Sequence, residues 1–153
     1  MIFLAIDIQP GFEASTYVVE AAREEALRAK RFQYGIILLQ YKKHGHTLDQ
    51  VRSVTYGYHK ASVAWKNSDD GSIEVLDKAF EDGYNTDVIR VCGVNTDYCV
   101  LDTVRGLSKF SPKSKILVRI DGCNSICDNS FKKFKKIPNV YLVGGKKNDQ
   151  DKV

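Results

Sequence analysis

The chain has 153 residues, a length that suits one domain with a substantial core. Its composition, 43% hydrophobic and 27% charged, is ordinary for a globular protein, and no apolar run approaches the ~20 residues of a membrane span. The net charge of +4 comes largely from clustered lysines, without the stronger basic bias or aromatic motif of a nucleic-acid-binding face. We therefore expect a cytoplasmic protein with no nucleic-acid or membrane partner.

Apolar runs of strand length alternate with amphipathic segments of helix length along the chain. The run GIILLQY is continuous rather than alternating, which is typical of a strand covered on both faces. The segment 44–60 is predicted to be irregular. The predicted strands span 2–8, 35–41, 62–66, 88–94, 116–120 and 140–143. The predicted helices span 17–30, 72–82, 97–109 and 129–136.

This alternation predicts a doubly wound three-layer α/β/α fold with a mainly parallel sheet. One domain is expected over 1–145, followed by a mobile tail at 146–153. In such sheets the binding site lies at the carboxyl ends of the strands. Polar residues at strand ends are therefore the first candidates for function.

Cys99 lies in the first turn of the predicted helix 97–109, directly after a predicted strand. A thiol there sits among unpaired backbone N–H groups and at the positive end of the helix dipole, which favours the thiolate. This placement predicts a nucleophile and hence a cysteine-dependent hydrolase. The alternative is that Cys99 is a small buried hydrophobe, as most free cysteines are.

Asp7 interrupts the apolar first strand, and a buried carboxylate needs a cationic or hydrogen-bonding partner. It can alternatively be a structural residue that caps the following loop. Lys66 ends the predicted strand 62–66 and can reach the same crevice as Asp7. Lys60, in YGYHK, is the rival, and Lys66 is preferred because apolar residues lead directly into it.

These residue types together suit nucleophilic catalysis. Asp7 can accept the thiol proton, while the Lys66 ammonium stabilises both groups as anions. The Cys99 thiolate can then attack a carbonyl carbon. Backbone N–H groups near Asn95 and Cys99 are the candidates for binding the resulting oxyanion.

Three sequence blocks resemble the isochorismatase-like, or nicotinamidase-related, cysteine hydrolase superfamily. AIDIQPGF resembles the family's first-strand D-x-Q-x-x-F motif, VCGVNTDYCVLDT its G-x-x-T-x-x-C-V nucleophile turn, and IDGCNS its late D-A/G-C/A block. The blocks occur in the family's order, so the resemblance covers nearly the whole chain. The matching residues are Asp7, Gln9, Phe12, Gly93, Thr96, Cys99, Val100 and 121–125.

The resemblance implies a sheet of order 3-2-1-4-5-6 in a protein that is usually oligomeric. It also implies a catalytic triad, which falls here on Asp7, Lys66 and Cys99. Family members have a non-proline cis peptide bond after the glycine of the nucleophile turn, which here is Val94–Asn95. That bond turns N–H groups toward the oxyanion.

The chain departs from the family pattern in its histidines. Nicotinamidases have a D-x-H…H metal site after the second strand, but Lys42 stands two residues before His44, where the aspartate would be, and His46 follows. We therefore expect neither a metal nor nicotinamidase activity. Isochorismatases that cleave a vinyl ether lack the nucleophilic cysteine, so Cys99 argues against that reaction.

The sequence thus predicts a cysteine hydrolase that acts on a C–N bond of a small amide or ureido substrate through a thioester. We expect no cofactor, a small-molecule substrate and a homo-oligomer. The candidate pocket residues are Gln9, Phe12 and Trp65, although Phe12 and Trp65 can equally belong to the core.

The alternative function is a non-catalytic binding or assembly protein with the same fold. A nucleotide-binding protein of flavodoxin or Rossmann type is disfavoured because no G-x-G-x-x-G motif occurs.

Overall fold

A computed structural model describes residues 1–127 and 130–145, so the predicted tail at 146–153 lies outside the described residues. The strands are β1 (Ile2–Ile6), β2 (Gly35–Tyr41), β3 (Ala61–Lys66), β4 (Val88–Val94), β5 (Lys115–Asn124) and β6 (Val140–Val143). The helices are α1 (Thr16–Arg31), α2 (Asp49–Thr55), α3 (Ser72–Glu81) and α4 (Leu101–Phe110). A π-helical turn, Thr96–Val100, precedes α4, and a 3-10 turn, Phe134–Lys136, precedes β6. All strand pairs are parallel, and their order, β3-β2-β1-β4-β5-β6, confirms the prediction.

Two apolar cores, one on each face of the sheet, explain why the central strands are continuous apolar runs. All five residues of β1 are buried, and in β2 only Tyr41 is partly exposed. Side chains alternate between the faces, so Phe3 packs in the core with α1 and α2, whereas Leu4 packs in the core with α3 and α4. The predicted three-layer α/β/α fold is therefore confirmed.

Two short segments differ from their predictions. The segment 44–60, predicted to be irregular, contains α2, whose seven residues bury only Val51 and Val54. Two buried residues are too few to create a helical pattern in the sequence. The helix predicted for 129–136 is wrong in its described part, where the only helical residues form the 3-10 turn and Phe134 enters the core. None of the helices in the described part of the chain has the length and apolar character needed to cross a bilayer.

The candidate site lies at the carboxyl edge of the sheet, where three strand ends meet. Asp7 follows β1, Lys66 ends β3, and Cys99 lies in the π-helical turn after β4. Strand β4 pairs directly with β1, and Gly93 is the partner of Ile6 at this edge. The fold thus brings together residues that are 92 positions apart in the chain, as Asp7 and Cys99 are.

Gly93 allows β1 and β4 to approach each other next to the site. A Cβ atom at this position would lie 2.5 Å from the Ile6 carbonyl oxygen and 2.7 Å from its Cβ. We expect Gly93→Ala to lower the free energy of unfolding by roughly 1–3 kcal/mol, because the overpacked strands must separate. Urea denaturation followed by circular dichroism measures the change. A loss below about 0.5 kcal/mol would contradict this close approach.

Candidate active site

A fully buried ion pair joins Asp7 to Lys66. The distance from Lys66 Nζ to Asp7 Oδ2 is 2.8 Å, and neither side chain is exposed. Lys66 Nζ also donates to the backbone carbonyl of Asp69 at 2.9 Å. Lys60, the rival at the other end of β3, instead donates to the carbonyl of Gln33 at 3.0 Å. Of the two candidate lysines, the geometry places Lys66 beside the carboxylate.

The surroundings of Asp7 make its carboxylate more basic than an exposed one. Burial raises the pKa of Asp7, while the charge of Lys66 opposes that rise. The backbone of Asp7 has a φ of 52°, in the left-handed region that non-glycine residues rarely adopt. Its N–H donates to the carbonyl of Leu39 at 3.0 Å. A strained backbone at the end of a strand is common where a side chain must be held for function.

The Cys99 thiol is buried between carboxylates. Its Sγ donates to Asp69 Oδ1 at 3.5 Å, and it lies close enough to Asp7 for each group to shift the pKa of the other. Burial, followed by the charge of Asp7, raises the pKa of Cys99 to about 12, and Lys66 opposes this effect. The expectation of a stabilised thiolate is therefore wrong, because burial and two carboxylates outweigh the helix dipole. This raised pKa favours the protonated thiol at neutral pH.

The backbone before Cys99 has the cis peptide bond that the resemblance implies. The Val94–Asn95 peptide bond is cis. The Asn95 carbonyl accepts hydrogen bonds from the N–H groups of Tyr98 at 3.2 Å and Val100 at 3.1 Å. The bond from Val100 spans five residues and belongs to the π-helical turn that carries Cys99 ahead of α4. The N–H groups of Asn95 and Cys99 stay the candidates for oxyanion binding.

Three rings form an aromatic wall on one side of the ion pair. The Phe12 ring centroid lies 6.1 Å from that of Tyr41 and 4.6 Å from that of His44, and the Tyr41 and His44 centroids are 5.4 Å apart. The Tyr41 ring centroid is also 5.1 Å from Lys66 Nζ. Phe12, a predicted pocket residue, therefore belongs to a cluster that reaches the ion pair.

Trp65 does not share a face of the sheet with Lys66. The two residues are adjacent in β3, so their side chains point to opposite faces. The Trp65 ring instead packs against His46, with centroids 5.4 Å apart, and more than a third of the residue is exposed. His44 and His46 thus contact different aromatic residues. Among residues 1–127 and 130–145, no three His, Cys, Asp or Glu side chains are grouped so that they could hold a metal ion.

Gln9 uses its side-chain amide to hold the backbone after β2. Its Oε1 accepts from the N–H of Tyr41 at 2.7 Å, and its Nε2 donates to the carbonyls of Tyr41 at 3.0 Å and Gly45 at 2.6 Å. Both ends of the amide are thus occupied by the backbone. Gln9, predicted to lie in the pocket, positions Tyr41 and with it the aromatic wall.

The third matching sequence block also holds the loop that carries Phe12. Asn124 Oδ1 accepts from both the N–H and the hydroxyl of Ser15, at 3.0 and 3.1 Å, and its Nδ2 donates to the carbonyl of Glu13 at 3.3 Å. Asp121 of the same block accepts two hydrogen bonds from the guanidinium of Arg119. Through Asn124, this block therefore holds the loop that carries Phe12.

Comparisons with known proteins give structural matches alone. No protein-family model matches the chain, and no curated protein matches it by sequence. A solved isochorismatase family protein superposes with a TM-score of 0.72 at 13% identity, covering 93% of this chain and 96% of its own. The chain has the isochorismatase-like fold. N-carbamoylsarcosine amidase from Thermoplasma acidophilum superposes with a TM-score of 0.74 at 15% identity, over 92% of this chain and 94% of its own. The MAR1 ribonuclease from Caenorhabditis elegans superposes with a TM-score of 0.69 at 16% identity, over 86% of this chain and 67% of its own.

Asp69 is the residue of the candidate site that the sequence did not reveal. It lies in the turn NSDDGS after β3, where a carboxylate is unremarkable in sequence. The turn is fixed by Thr103, whose Oγ1 donates to the Asp69 carbonyl at 3.2 Å and accepts from the Gly71 N–H at 3.1 Å. Asp70 Oδ1 accepts from the N–H of Ser72, the first residue of α3, at 2.8 Å. These contacts hold the Asp69 carboxylate over Cys99.

Proposed function

We propose that this protein is a cysteine hydrolase that cleaves a C–N bond of a small amide or ureido substrate through a thioester. The observation that carries the proposal is the buried Asp7–Lys66 ion pair next to the Cys99 thiol. A buried charge pair costs desolvation energy and is weak evidence for stability, which favours a functional reason for its presence. The structural similarity to N-carbamoylsarcosine amidase supports the same reaction class.

In the first half-reaction, Cys99 Sγ attacks the substrate carbonyl carbon as its proton passes to Asp7. Because the raised pKa keeps the thiol protonated at rest, this proton transfer must accompany the attack. The N–H groups of Asn95 and Cys99 stabilise the tetrahedral oxyanion. The C–N bond then breaks, Asp7 returns the proton to the leaving nitrogen, and ammonia or an amine departs.

In the second half-reaction, water replaces the departed amine. Asp7 removes a proton from the water as its oxygen attacks the thioester carbon. The C–S bond breaks, the Cys99 sulfur leaves and regains its proton, and the acid is released. Lys66 keeps Asp7 ionised despite its burial, so that the carboxylate can act as a base in both steps.

The test is release of ammonia or amine from a panel of small amides and N-carbamoyl amines. We expect Cys99→Ala to lower turnover by at least about 1,000-fold while leaving the circular dichroism spectrum unchanged, because the nucleophile is removed. Cys127→Ala is the matched control, since Cys127 is an exposed cysteine, and it should keep turnover within about twofold. Comparable turnover by wild type and Cys99→Ala would overturn the mechanism.

The second candidate function is a non-catalytic binding or assembly protein with the same fold. The raised pKa of Cys99 favours it, since a buried protonated thiol is also what an unreactive cysteine shows. It predicts that no amide in the panel is hydrolysed and that hydroxylamine traps no acyl group from Cys99. In either case we propose that the ligand is a small molecule and that the protein is a homo-oligomer in the cytoplasm.

The similarity to a ribonuclease does not lead us to propose RNA cleavage. A phosphate would meet the carboxylates of Asp7 and Asp69 beside Cys99, and like charges at such distances repel. Lys66 is the cation beside Asp7, and its ammonium is already paired. The charge of the described site therefore suits an uncharged or positively charged substrate better than a phosphodiester.

A further inference from the structure

The Asp69 carboxylate lies at the site without a charged partner. Its Oδ1 is 3.5 Å from Cys99 Sγ, and the residue is exposed. In the part of the chain that the structure describes, no Lys, Arg or His nitrogen forms an ion pair with this carboxylate. Lys66 contacts the backbone carbonyl of Asp69 rather than its side chain. A negative charge that the described residues leave uncompensated therefore faces the nucleophile.

Further hydrogen-bond acceptors lie in the segment that leads to Cys99. Asn95 Oδ1 and Asp97 Oδ1 are buried atoms that accept no hydrogen bond from the described residues. Buried acceptors are normally satisfied, so these two oxygens are available to a donor from outside the chain. Asp97 and Asp69 both act on the Tyr98 hydroxyl, whose pKa is raised first by Cys127 and then by Asp97, with a smaller effect of Asp69. Asp97 and Asp69 thus both lie near Tyr98, the residue before Cys99.

The aromatic wall of Phe12, Tyr41 and His44 also borders the site, and the Tyr41 hydroxyl donates to the carbonyl of Asn67 in the turn that carries Asp69, at 3.0 Å. Aromatic faces attract cations through their quadrupole. The Tyr41 ring already lies 5.1 Å from the Lys66 ammonium. The Asp69 carboxylate and the aromatic rings near the ion pair together form an environment that favours a positively charged group.

We propose that Asp69 makes the site selective for cationic substrates, namely amides or ureido compounds that carry an ammonium or guanidinium group near the scissile carbonyl. The substrate cation pairs with the Asp69 carboxylate and replaces the hydrogen bond from Cys99 Sγ to Asp69 Oδ1. The thiol is then free to give its proton to Asp7. This inference names the substrate class of the hydrolase proposed above and rests on that function, but its test requires no turnover.

The test compares two thiol reagents of similar size and opposite charge. Cys99 is labelled with 2-(trimethylammonium)ethyl methanethiosulfonate or with 2-sulfonatoethyl methanethiosulfonate, in a Cys127→Ser background that removes the exposed cysteine. The ratio of the two rates, divided by the same ratio for a neutral free thiol, gives the charge selectivity of the site. Because both reagents meet the same thiol, its pKa cancels from the ratio.

We expect wild-type Cys99 to prefer the cationic reagent by about tenfold or more, as one to two carboxylates within a few ångströms would produce. Asp69→Asn should lower this selectivity about tenfold, and rising salt should lower it in the wild type. Asp70→Asn is the matched control in the same turn, since asparagine can still accept from the Ser72 N–H, and it should change the selectivity less than twofold.

Equal normalised rates for the two reagents would overturn the proposal, as would a selectivity that Asp69→Asn leaves unchanged. If Asp69→Asn does not fold, as judged by circular dichroism, the salt dependence of the wild type decides, and a salt-independent ratio overturns the proposal. Charge selectivity at Cys99 without turnover of any amide would overturn the proposed hydrolase function but support the selectivity for cations. Turnover of an amide without charge selectivity would support the hydrolase function and overturn the selectivity for cations.

Discussion

Asp7→Asn is expected to make Cys99 more reactive toward iodoacetamide while abolishing hydrolysis. The charge of Asp7 is the largest contribution after burial to the raised pKa of Cys99. Removing it leaves Lys66 unpaired beside the thiol, and both changes lower the pKa of Cys99. At pH 8 the alkylation rate should rise on the order of 10- to 100-fold. Turnover should nevertheless fall, because asparagine cannot accept the proton.

The pH profile of alkylation checks the same prediction with peptide mass mapping. Since the pKa of wild-type Cys99 is raised to about 12, its labelling rate should rise about tenfold for each pH unit from 7 to 10 without a plateau. A free cysteine peptide should level off near its ordinary pKa of about 8.5. Asp70→Asn should follow the wild-type profile. Slower labelling of Asp7→Asn than of wild type would refute the assignment of Asp7 as the group that holds the thiol protonated.

Lys66→Met is expected to cost about 3–5 kcal/mol of unfolding free energy at neutral pH, because it leaves the buried carboxylate of Asp7 without its counter-ion. The carboxyl group then stays protonated in the folded protein to a higher pH than in the wild type. In the unfolded chain it ionises near its ordinary pKa of 3.8. A folded-state pKa above the unfolded value gives stability that is present below pH 3.8 and lost as pH rises through the folded pKa. The deficit of Lys66→Met should therefore grow between pH 4 and pH 7.

Urea unfolding at several pH values measures this deficit. The double variant Asp7→Asn/Lys66→Met removes both charges and should recover most of the lost stability at pH 7. Lys60→Met is the matched control, since Lys60 donates to the Gln33 carbonyl on the surface, and it should cost less than about 1 kcal/mol. A deficit that is constant across pH would mean that Lys66 stabilises the fold through packing alone.

The local pattern of the sequence was sufficient to predict the layers of the fold but not its short helix and turn. Continuous apolar runs such as β2 are produced by burial on two faces, and this property is readable in a window of seven residues. The helix α2 leaves no such pattern because it buries only Val51 and Val54. The turn at Phe134 forms because one ring enters a core built by distant strands.

The residues of the candidate site also fall into two groups, those that the sequence indicates and those that only the structure identifies. Asp7 and Cys99 could be chosen from the sequence because a carboxylate in an apolar strand and a cysteine after a strand are local anomalies. The choice between Lys60 and Lys66 required the structure, since the two residues lie at opposite ends of β3. Asp69 gave no local signal, because an aspartate in a polar turn is ordinary and only its contact with the thiol marks it.

The sequence by itself determined the alternation of strands and helices and the residue types available at the strand ends, since periodicity records which side chains are buried. Only the tertiary structure decided which of those residues meet and in what protonation state. The pKa of Cys99 is the clearest case, because a first-turn position favours the thiolate whereas burial beside Asp7 and Asp69 favours the thiol. Electrostatic effects depend on distances between groups that are remote in the chain, and those distances are fixed when β1, β3 and β4 end at one edge of the sheet.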